Sequence, residues 1–386
     1  MKVYKIVAAF LALAAFAQVL SACASAGAPT ATPAAPTKAA PGTAVPAWQE
    51  KWDKTLQAAK GEGSVLSYSI LAVDSRNLLA EAFRKKYGIT VDFVAGLGGE
   101  LSAKLTSERD AGLYNADVVL AGASTLTQIL KPAKILGPIQ PVLILPEVTD
   151  PKNWIGGLPI VDKDGTSFAM IGTRMRYVLR NTEMVKESDI TSYKDVLKPQ
   201  WKGKIVMSDP TIPGAGSSFP AILVQIYGMD GAKDFFRQLV AQEPVISRDW
   251  RQMVEWTAKG KYPICLGPNP EQTADFLKAG APIALMKVAE GAKIGSVSGG
   301  LGVPARVAHP NASVVFVNWL LSKEGQEVFV KGLGSPSRRA DVSTSGVNAM
   351  FLQEPGEKYI FEDEEHYNMQ TAVLPITKEI FGPLLK

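Results

Sequence analysis

Residues 199–219, PQWKGKIVMSDPTIPGAGSSF, place a turn, a short strand, a loop and the start of a helix in direct succession. Gly203 marks the turn, 204–207 is a short apolar strand, and the loop is rich in proline and glycine. Ser217 and Ser218 then begin the helical run FPAILVQIY. Such a succession directs unpaired backbone N–H groups and two hydroxyls at one small volume, which suits a small anion. Serine at a helix start also stabilises the helix by itself, so both interpretations stay open.

Strands and helices alternate before this stretch. Strands are predicted at 64–70, 89–94 and 116–121, with helices between them that end near Gly88 and Gly112. This spacing is typical of βαβ units around a parallel sheet. Ligands of such sheets bind beyond the carboxyl ends of the strands, so the loops 69–74, 95–100 and 122–125 are expected to face a ligand.

A second set of α/β elements follows residue 204. Helices are predicted after Asp230, Ser247 and Asn269, and strands at 262–266 and 281–286. Glycines at 295, 299, 300 and 302 interrupt this pattern where a crossover is expected, and helices follow from Pro310 and Ser322. Two α/β blocks joined by extended segments predict two lobes with a cleft between them.

The first 47 residues are predicted to be an export signal and a tether. Lys2 and Lys5 precede an apolar run at 6–20, which predicts a signal peptide over 1–22. Leu20-Ser21-Ala22-Cys23 resembles the bacterial lipoprotein box, in which the cysteine is diacylated; a cysteine next to an ordinary cleaved signal is the alternative. Residues 23–47 are rich in Ala, Pro, Thr and Ser, which predicts a disordered, lipid-anchored linker before a globular body near Trp48.

Composition excludes several function classes. Removing residues 1–22 removes two lysines and no acid, so the formal net charge falls from +4 to +2, without the basic cluster that nucleic-acid binding requires. About 340 residues remain, enough for two lobes with separate cores. Besides Cys23 there is only Cys265, in the apolar run YPICLG, so we expect a buried core thiol and no intramolecular disulfide.

Several segments resemble the iron-type branch of the bacterial extracellular solute-binding proteins, from about residue 64 to 381. The segments are ERDAG (108–112), ADVVLAG (116–122), WKGKIVMSDP (201–210), GAGSSF (214–219), GKYPICLG (260–267), HPNASVVFVNWLLSKEGQ (309–326) and SRRADV (337–342). Each segment alone is weak evidence for the family, whereas all of them together in this order are specific evidence.

The resemblance implies an α/β, two-lobe type II periplasmic-binding-protein fold, each lobe a mostly parallel sheet flanked by helices. Lobe 1 would comprise 48–165 plus 296–345, and lobe 2 would comprise 166–295 plus 346–386. It also implies capture rather than catalysis: a small solute binds in the interlobe cleft and is delivered to an ABC permease. We expect an exported monomer, lipid-anchored to the outer face of the cell membrane or in the periplasm, with no cofactor.

The ligands that iron-binding members use are missing at the matching positions. The family places a histidine after the first strand, where this chain reads SYSILAVDS, and a glutamate near Gly122. It places adjacent tyrosines where this chain reads GPNPEQ, and no Tyr-Tyr pair occurs in the sequence. His309 and His366 are interpreted as surface or capping residues. We therefore predict no metal site, with ferric-ion binding through a rearranged ligand set as the alternative.

Hydroxyls, backbone N–H groups and an arginine in the predicted cleft suit a carboxylate, phosphonate or phosphate ester. Arg248 could equally be a solvated helix-start residue, and Trp250 could pack in the core. An enzyme is not expected, because neither a G-x-S-x-G motif nor a nucleophile–base pair is present. The predicted ligand-binding residues are Ser69, Gly98, Gly99, Ser124, Thr125, Tyr177, Ser217, Ser218, Arg248 and Trp250.

Overall fold

The computed structural model describes residues 45–295 and 298–385. The predicted signal peptide, Cys23 and nearly all of the predicted linker lie outside these residues. The described body begins with helix α1 at Ala47, close to the predicted start. Among the described helices, none has both the length and the apolar character needed to cross a bilayer.

The elements alternate as the sequence predicts. The helices are α1 (Ala47–Glu62), α2 (Val73–Tyr87), α3 (Gly98–Asp110), α4 (Ala123–Thr125), α5 (Pro146–Thr149), α6 (Ala215–Ala241), α7 (Trp250–Ala258), α8 (Pro270–Lys278), α9 (Pro310–Leu321), α10 (Lys323–Leu333) and α11 (Glu364–Phe381). The strands are β1 (Ser64–Ser69), β2 (Thr90–Ala95), β3 (Val118–Ala121), β4 (Leu136–Gly137), β5 (Ser167–Ala169), β6 (Thr173–Met175), β7 (Val178–Asn181), β8 (Ile205–Ser208), β9 (Val245–Ser247), β10 (Ile264–Leu266), β11 (Ile283–Leu285), β12 (Ala292–Gly295), β13 (Gly300–Pro304) and β14 (Tyr359–Phe361).

Each lobe is built on one sheet. The lobe 1 sheet has the order β2-β1-β3-β13-β4, and β5 also pairs with β13. The lobe 2 sheet has the order β11-β7-β10-β8-β9. Three adjoining strands are parallel in each sheet, β2-β1-β3 and β10-β8-β9, as their βαβ connections require. The remaining pairings, made by β13 and β7, are antiparallel because these strands enter their sheets directly from the crossovers.

A third, three-stranded sheet connects the lobes. Its order is β14-β12-β6, with β12 parallel to β14 and antiparallel to β6. Each of these strands belongs to a different stretch of chain that passes between the two large sheets. This small sheet is called the hinge sheet below.

The largest hydrophobic cluster of each lobe packs against one face of that lobe's sheet. In lobe 1, the rings of Phe83, Phe316 and Trp319 pack at centroid distances of 5.1–6.0 Å between α2 and α9. In lobe 2, Tyr177 stacks on Phe219 at 5.4 Å, and α11 packs on α6. Burial of apolar surface contributes about 25 cal/mol per Å² in each core.

Several local predictions were wrong by a few residues. Ser247 does not cap α7; the side chain of Asp249 accepts the hydrogen bond from the Gln252 N–H instead. The helix predicted after Asp230 is present, but it begins directly after Gly228, whose φ of 72° and ψ of 170° separate it from the first part of α6. Asn269 and Ser322 cap α8 and α10 as predicted.

We expect Asn318→Ala to lower the free energy of unfolding by about 2–4 kcal/mol. Its buried amide accepts hydrogen bonds from the N–H groups of Ile144 and Leu145 and donates to the Val142 carbonyl, so the substitution leaves these backbone groups unpaired. Chemical denaturation followed by circular dichroism measures the change. Asn77→Ala on the exposed surface of α2 is the control and should shift stability by less than about 0.5 kcal/mol. Equal losses in both variants would contradict the assignment.

Candidate functional site

The predicted ligand loops of lobe 1 meet at one edge of its sheet. Ser69 ends β1 and is fully buried, and its side-chain oxygen accepts a hydrogen bond from the Leu71 N–H at 3.1 Å. Gly98 and Gly99 form the first turn of α3. A Cβ atom at Gly98 would lie 2.7 Å from the Thr125 Oγ1, so the glycine allows these two loops to approach closely.

Ser124 lies in the same edge of lobe 1 and is exposed, whereas Thr125 is half-buried. Both belong to α4, which continues into one π-helical turn, Leu126–Leu130. The structure therefore brings Gly98 and Thr125 together, and it leaves the hydroxyl of Ser124 open to solvent.

In lobe 2, Arg248 follows β9 and its side chain is 70% exposed. Its Nε donates to the buried Asp209 carboxylate at 2.8 Å. The other Asp209 oxygen accepts hydrogen bonds from the N–H and hydroxyl of Thr211. Burial alone would raise the pKa of Asp209, but these hydrogen bonds and the Arg248 charge lower it, so the carboxylate stays ionised and orients the arginine.

Ser217 and Trp250 face protein rather than open space. The fully buried Ser217 hydroxyl donates to the Gly214 carbonyl oxygen at 3.2 Å. Trp250 is half-buried and packs against the cluster that contains Met253 and Val254. Both residues therefore have structural contacts where the sequence predicts ligand contacts.

Tyr177 and Ser218 belong to a buried polar network that the sequence analysis did not predict. Their hydroxyl oxygens lie 2.7 Å apart. Lys293, from the central strand of the hinge sheet, donates to the Ser218 hydroxyl at 2.9 Å and to the Glu362 carboxylate at 2.6 Å. The network joins α6, the hinge sheet and the start of α11.

The charges in this network stabilise one another. Burial opposes the charge on Lys293, yet the Glu362 carboxylate raises the pKa of the lysine. Burial would likewise raise the pKa of Glu362, but the lysine lowers it below its ordinary value. Desolvation raises the pKa of the Tyr177 hydroxyl, which stays neutral. Lys293 and Glu362 thus form a buried ion pair with hydrogen-bonded neighbours.

His366 is not the surface residue that the sequence analysis expected. It is fully buried on α11, and its Nε2 lies 3.7 Å from Glu362. Burial, with the nearby Lys293 charge, lowers its pKa to about 3, so the imidazole is neutral in the folded protein. His309 is the residue before α9, and its Nδ1 lies 2.8 Å from the Asp117 carboxylate.

The first turn of α11 also contacts lobe 1. The Glu364 N–H donates to the Val161 carbonyl at 2.8 Å, and its carboxylate pairs with Lys131. Lys131 also lies 3.0 Å from Asp164. These contacts hold the two lobes together beside the hinge sheet.

A small cavity of about 10 Å³ lies where the lobes meet, which is room for about one water molecule. Lobe 1 contributes Arg338 and the segment at Ala123, while the hinge sheet and α11 contribute Glu362 and Tyr367. None of the predicted ligand residues lines it. The structure is therefore closed at this point, and a larger solute enters only if the lobes separate.

Sequence reasoning missed four residues of the buried network and the cavity lining: Lys293, Arg338, Glu362 and Tyr367. Arg338 lies in the SRRADV run that carried the family resemblance, and no pattern distinguished it from Arg339. Isolated charges in apolar strands, such as Lys293 in GAKIG, are the one sequence signal that could have indicated a buried network.

Residues 45–295 and 298–385 contain no cluster of three or more His, Cys, Asp or Glu side chains suited to a metal ion. Cys265 is a fully buried free thiol whose pKa is raised by burial, as expected for a core residue.

The sequence profile of the bacterial extracellular solute-binding proteins matches residues 79–351. The chain belongs to this family. It is therefore the substrate-binding component of an ABC importer and not an enzyme. The Fe(3+)-binding periplasmic protein of Serratia marcescens is 24% identical over 290 residues, which cover 70% of this chain and 78% of the relative.

Solved structures confirm the two-lobe fold. The Trichodesmium protein IdiA (FutA), in complex with iron and citrate, has a TM-score of 0.66 at 22% identity over 84% of this chain and 99% of its own. The periplasmic binding protein AfuA from Actinobacillus pleuropneumoniae, with fructose-6-phosphate bound, has a TM-score of 0.58 at 20% identity. The superposition with AfuA covers 83% of this chain and 99% of the AfuA chain.

We expect His366→Gln to remove part of the acid sensitivity of folding. An unfolded histidine titrates near pH 6.5, and folding lowers the pKa to about 3, so between these values the unfolded chain binds more protons. Wild-type stability should therefore fall, relative to the variant, by about 1.4 kcal/mol per pH unit as the pH drops below about 6.5. Denaturation of both proteins at a series of pH values between 4 and 8 measures this difference. Parallel stability curves would show that His366 is not buried in its neutral form.

Proposed function

We propose that this chain captures a small anionic organic solute, a carboxylate, phosphonate or phosphate ester, between its lobes. Arg248 is the observation that carries this proposal. Its exposed guanidinium lies at the carboxyl end of β9 and is fixed through Nε by the buried Asp209 carboxylate. Among the described residues its two terminal amino groups have no hydrogen-bond partner, so they are available for a paired contact with an oxyanion.

The loops of lobe 1 support an anionic ligand, because they offer hydroxyl and backbone N–H groups that can donate hydrogen bonds to it. We propose that the open hydroxyl of Ser124, Thr125, and the backbone of Gly98 and Gly99 complete the ligand contacts from that side. The other ligand contacts predicted from the sequence remain predictions: Ser69, Tyr177, Ser217, Ser218 and Trp250. Two structural neighbours are described with organic anions, citrate and fructose-6-phosphate, which agrees with the proposed ligand class.

The proposed mechanism is capture by closure. A solute that contacts both lobes binds the closed form better than an open form, so it shifts the population toward closure. We propose lobe boundaries of 48–165 plus 296–345 and 166–295 plus 346–386. We further propose a monomer held at the membrane by a lipid on Cys23.

Ferric ion is the second candidate, because one relative is described as Fe(3+)-binding, two structural neighbours contain iron and four more are described as ferric-binding proteins. The tyrosines that could replace the missing ligands are separated and already engaged. Tyr177 pairs with Ser218, and the Tyr227 hydroxyl donates to the Glu290 carboxylate. These contacts favour the organic anion over the metal.

We expect citrate, fructose 6-phosphate or 2-aminoethylphosphonate to raise the melting temperature, each added separately to protein freed of ligand by unfolding and refolding. At a hundredfold excess over the dissociation constant, binding adds about 2.7 kcal/mol of stability. Differential scanning fluorimetry measures the shift, and native mass spectrometry identifies solutes that copurify. Neutral sugars are the control and should give no shift.

Ferric chloride is tested in parallel by visible absorption. A tyrosinate-to-iron charge-transfer band, together with stabilisation by iron and by no organic anion, would replace the proposed ligand with ferric ion.

A further inference from the structure

Arg338 is a buried arginine that the fold does not neutralise. The residue is 5% exposed, and its side chain makes one hydrogen bond, from Nη2 to the Ile155 carbonyl at 3.0 Å. Within the part of the chain that the structure describes, its buried Nε has no hydrogen-bond partner. No carboxylate oxygen among the described residues lies within the 4.0 Å that defines an ion pair.

The adjacent Arg339 shows how the same fold accommodates a buried guanidinium for structural reasons. Arg339 is 2% exposed, and its Nε and Nη2 each donate to the Asp341 carboxylate at 2.8 Å. Its Nη1 donates to the carbonyls of Glu147 and Leu321. A structural arginine in this segment is thus paired on every nitrogen, whereas Arg338 is not.

The Arg338 guanidinium lies over the ring of Phe361 at 4.7 Å, which offsets part of the cost of burial. Burial still lowers its pKa to about 10, with no opposing effect from an acidic neighbour. At neutral pH the side chain therefore carries a full positive charge that the protein leaves unbalanced.

This charge faces the cavity between the lobes. Arg338 lines the cavity together with Glu362 and Tyr367, and its guanidinium lies over Phe361, the residue before Glu362. Glu362 does not supply the missing negative charge, because it is already paired with Lys293 at 2.6 Å. The ionisable groups around the cavity therefore sum to one surplus positive charge at its lobe 1 wall.

We infer that Arg338 is a second anchor for the captured anion, in addition to Arg248, at the inner end of the cleft. This inference rests on the proposed function and deepens it. An oxyanion at the cavity would give Nε its missing acceptor and cancel the buried charge. Since the cavity has room for about one water molecule, the anion enters while the lobes are apart, and the lobes then close around it less tightly than they do in this structure.

The inference also explains why an arginine is tolerated at this position. The unpaired charge destabilises the ligand-free closed form, and an anion removes that penalty when the lobes close around it. Only a ligand with a negative group would then stabilise closure, so Arg338 selects anionic over neutral solutes of similar shape.

Arg338→Met tests this role because it removes the charge and keeps an unbranched apolar stem over Phe361. Arg338→Lys retains the charge without the planar fork, and Arg339→Met is the matched control for a paired arginine. Melting temperature and isothermal titration calorimetry are measured for the full mature chain with citrate, fructose 6-phosphate, 2-aminoethylphosphonate and inorganic phosphate.

We expect Arg338→Met to melt at or above the wild-type temperature without ligand and to bind the anion at least about thirtyfold more weakly. Arg338→Lys should retain part of the affinity, and Arg339→Met should lower the melting temperature. If the wild type binds an anion and Arg338→Met binds it equally, the anchor is overturned while the proposed function stands. A loss of stability in Arg338→Met as large as that in Arg339→Met would also overturn the anchor. If the wild type binds none of the anions, the proposed function fails and the anchor fails with it.

Discussion

The buried ion pair between Lys293 and Glu362 is the interaction on which the centre of the molecule depends. Lys293 lies in the middle strand of the hinge sheet, and Glu362 follows the strand beside it. Removing either partner would leave a charge uncompensated in the interior, which typically costs about 3–5 kcal/mol. Because Lys293 donates to Ser218, which is in turn hydrogen-bonded to Tyr177, the pair also fixes the start of α6 against the hinge sheet.

The position of this pair explains several features of the cleft. It fixes Glu362, which lines the cavity with Tyr367, while Arg338 lines the same cavity and belongs to the other lobe. The negative charge of Glu362 is balanced by Lys293, whereas the positive charge of Arg338 has no paired carboxylate among the described residues. A cleft built in this way responds to the charge of a solute, because the lobe 1 wall is completed only by a negative group.

The sequence predicted the fold well and the site poorly, for physical reasons. Alternating apolar patterns and glycine stops located β1, α2, β2 and β3, because periodicity reports which face of an element is buried. The same patterns carry no information about which buried polar groups from distant elements meet. Tyr177, Ser218 and Lys293 lie far apart in the chain, and only the crossovers bring them together. The sequence also contains two possible N-cap residues before α7, Ser247 and Asp249. Ser247 was predicted, and the structure has Asp249.

The strand order of lobe 1 has a consequence for the way the chain folds. Strand β13 lies between β3 and β4 in the middle of the sheet, yet it begins at Gly300, after the whole of the lobe 2 sheet has been made. Helix α9, which packs on α1, follows later still. A nascent chain therefore has no complete first lobe until more than three-quarters of it has been synthesised, and its early strands must wait for a distant partner. For a member of an extracellular family, this order of synthesis means that the lobe 1 sheet stays incomplete while most of the chain is emerging.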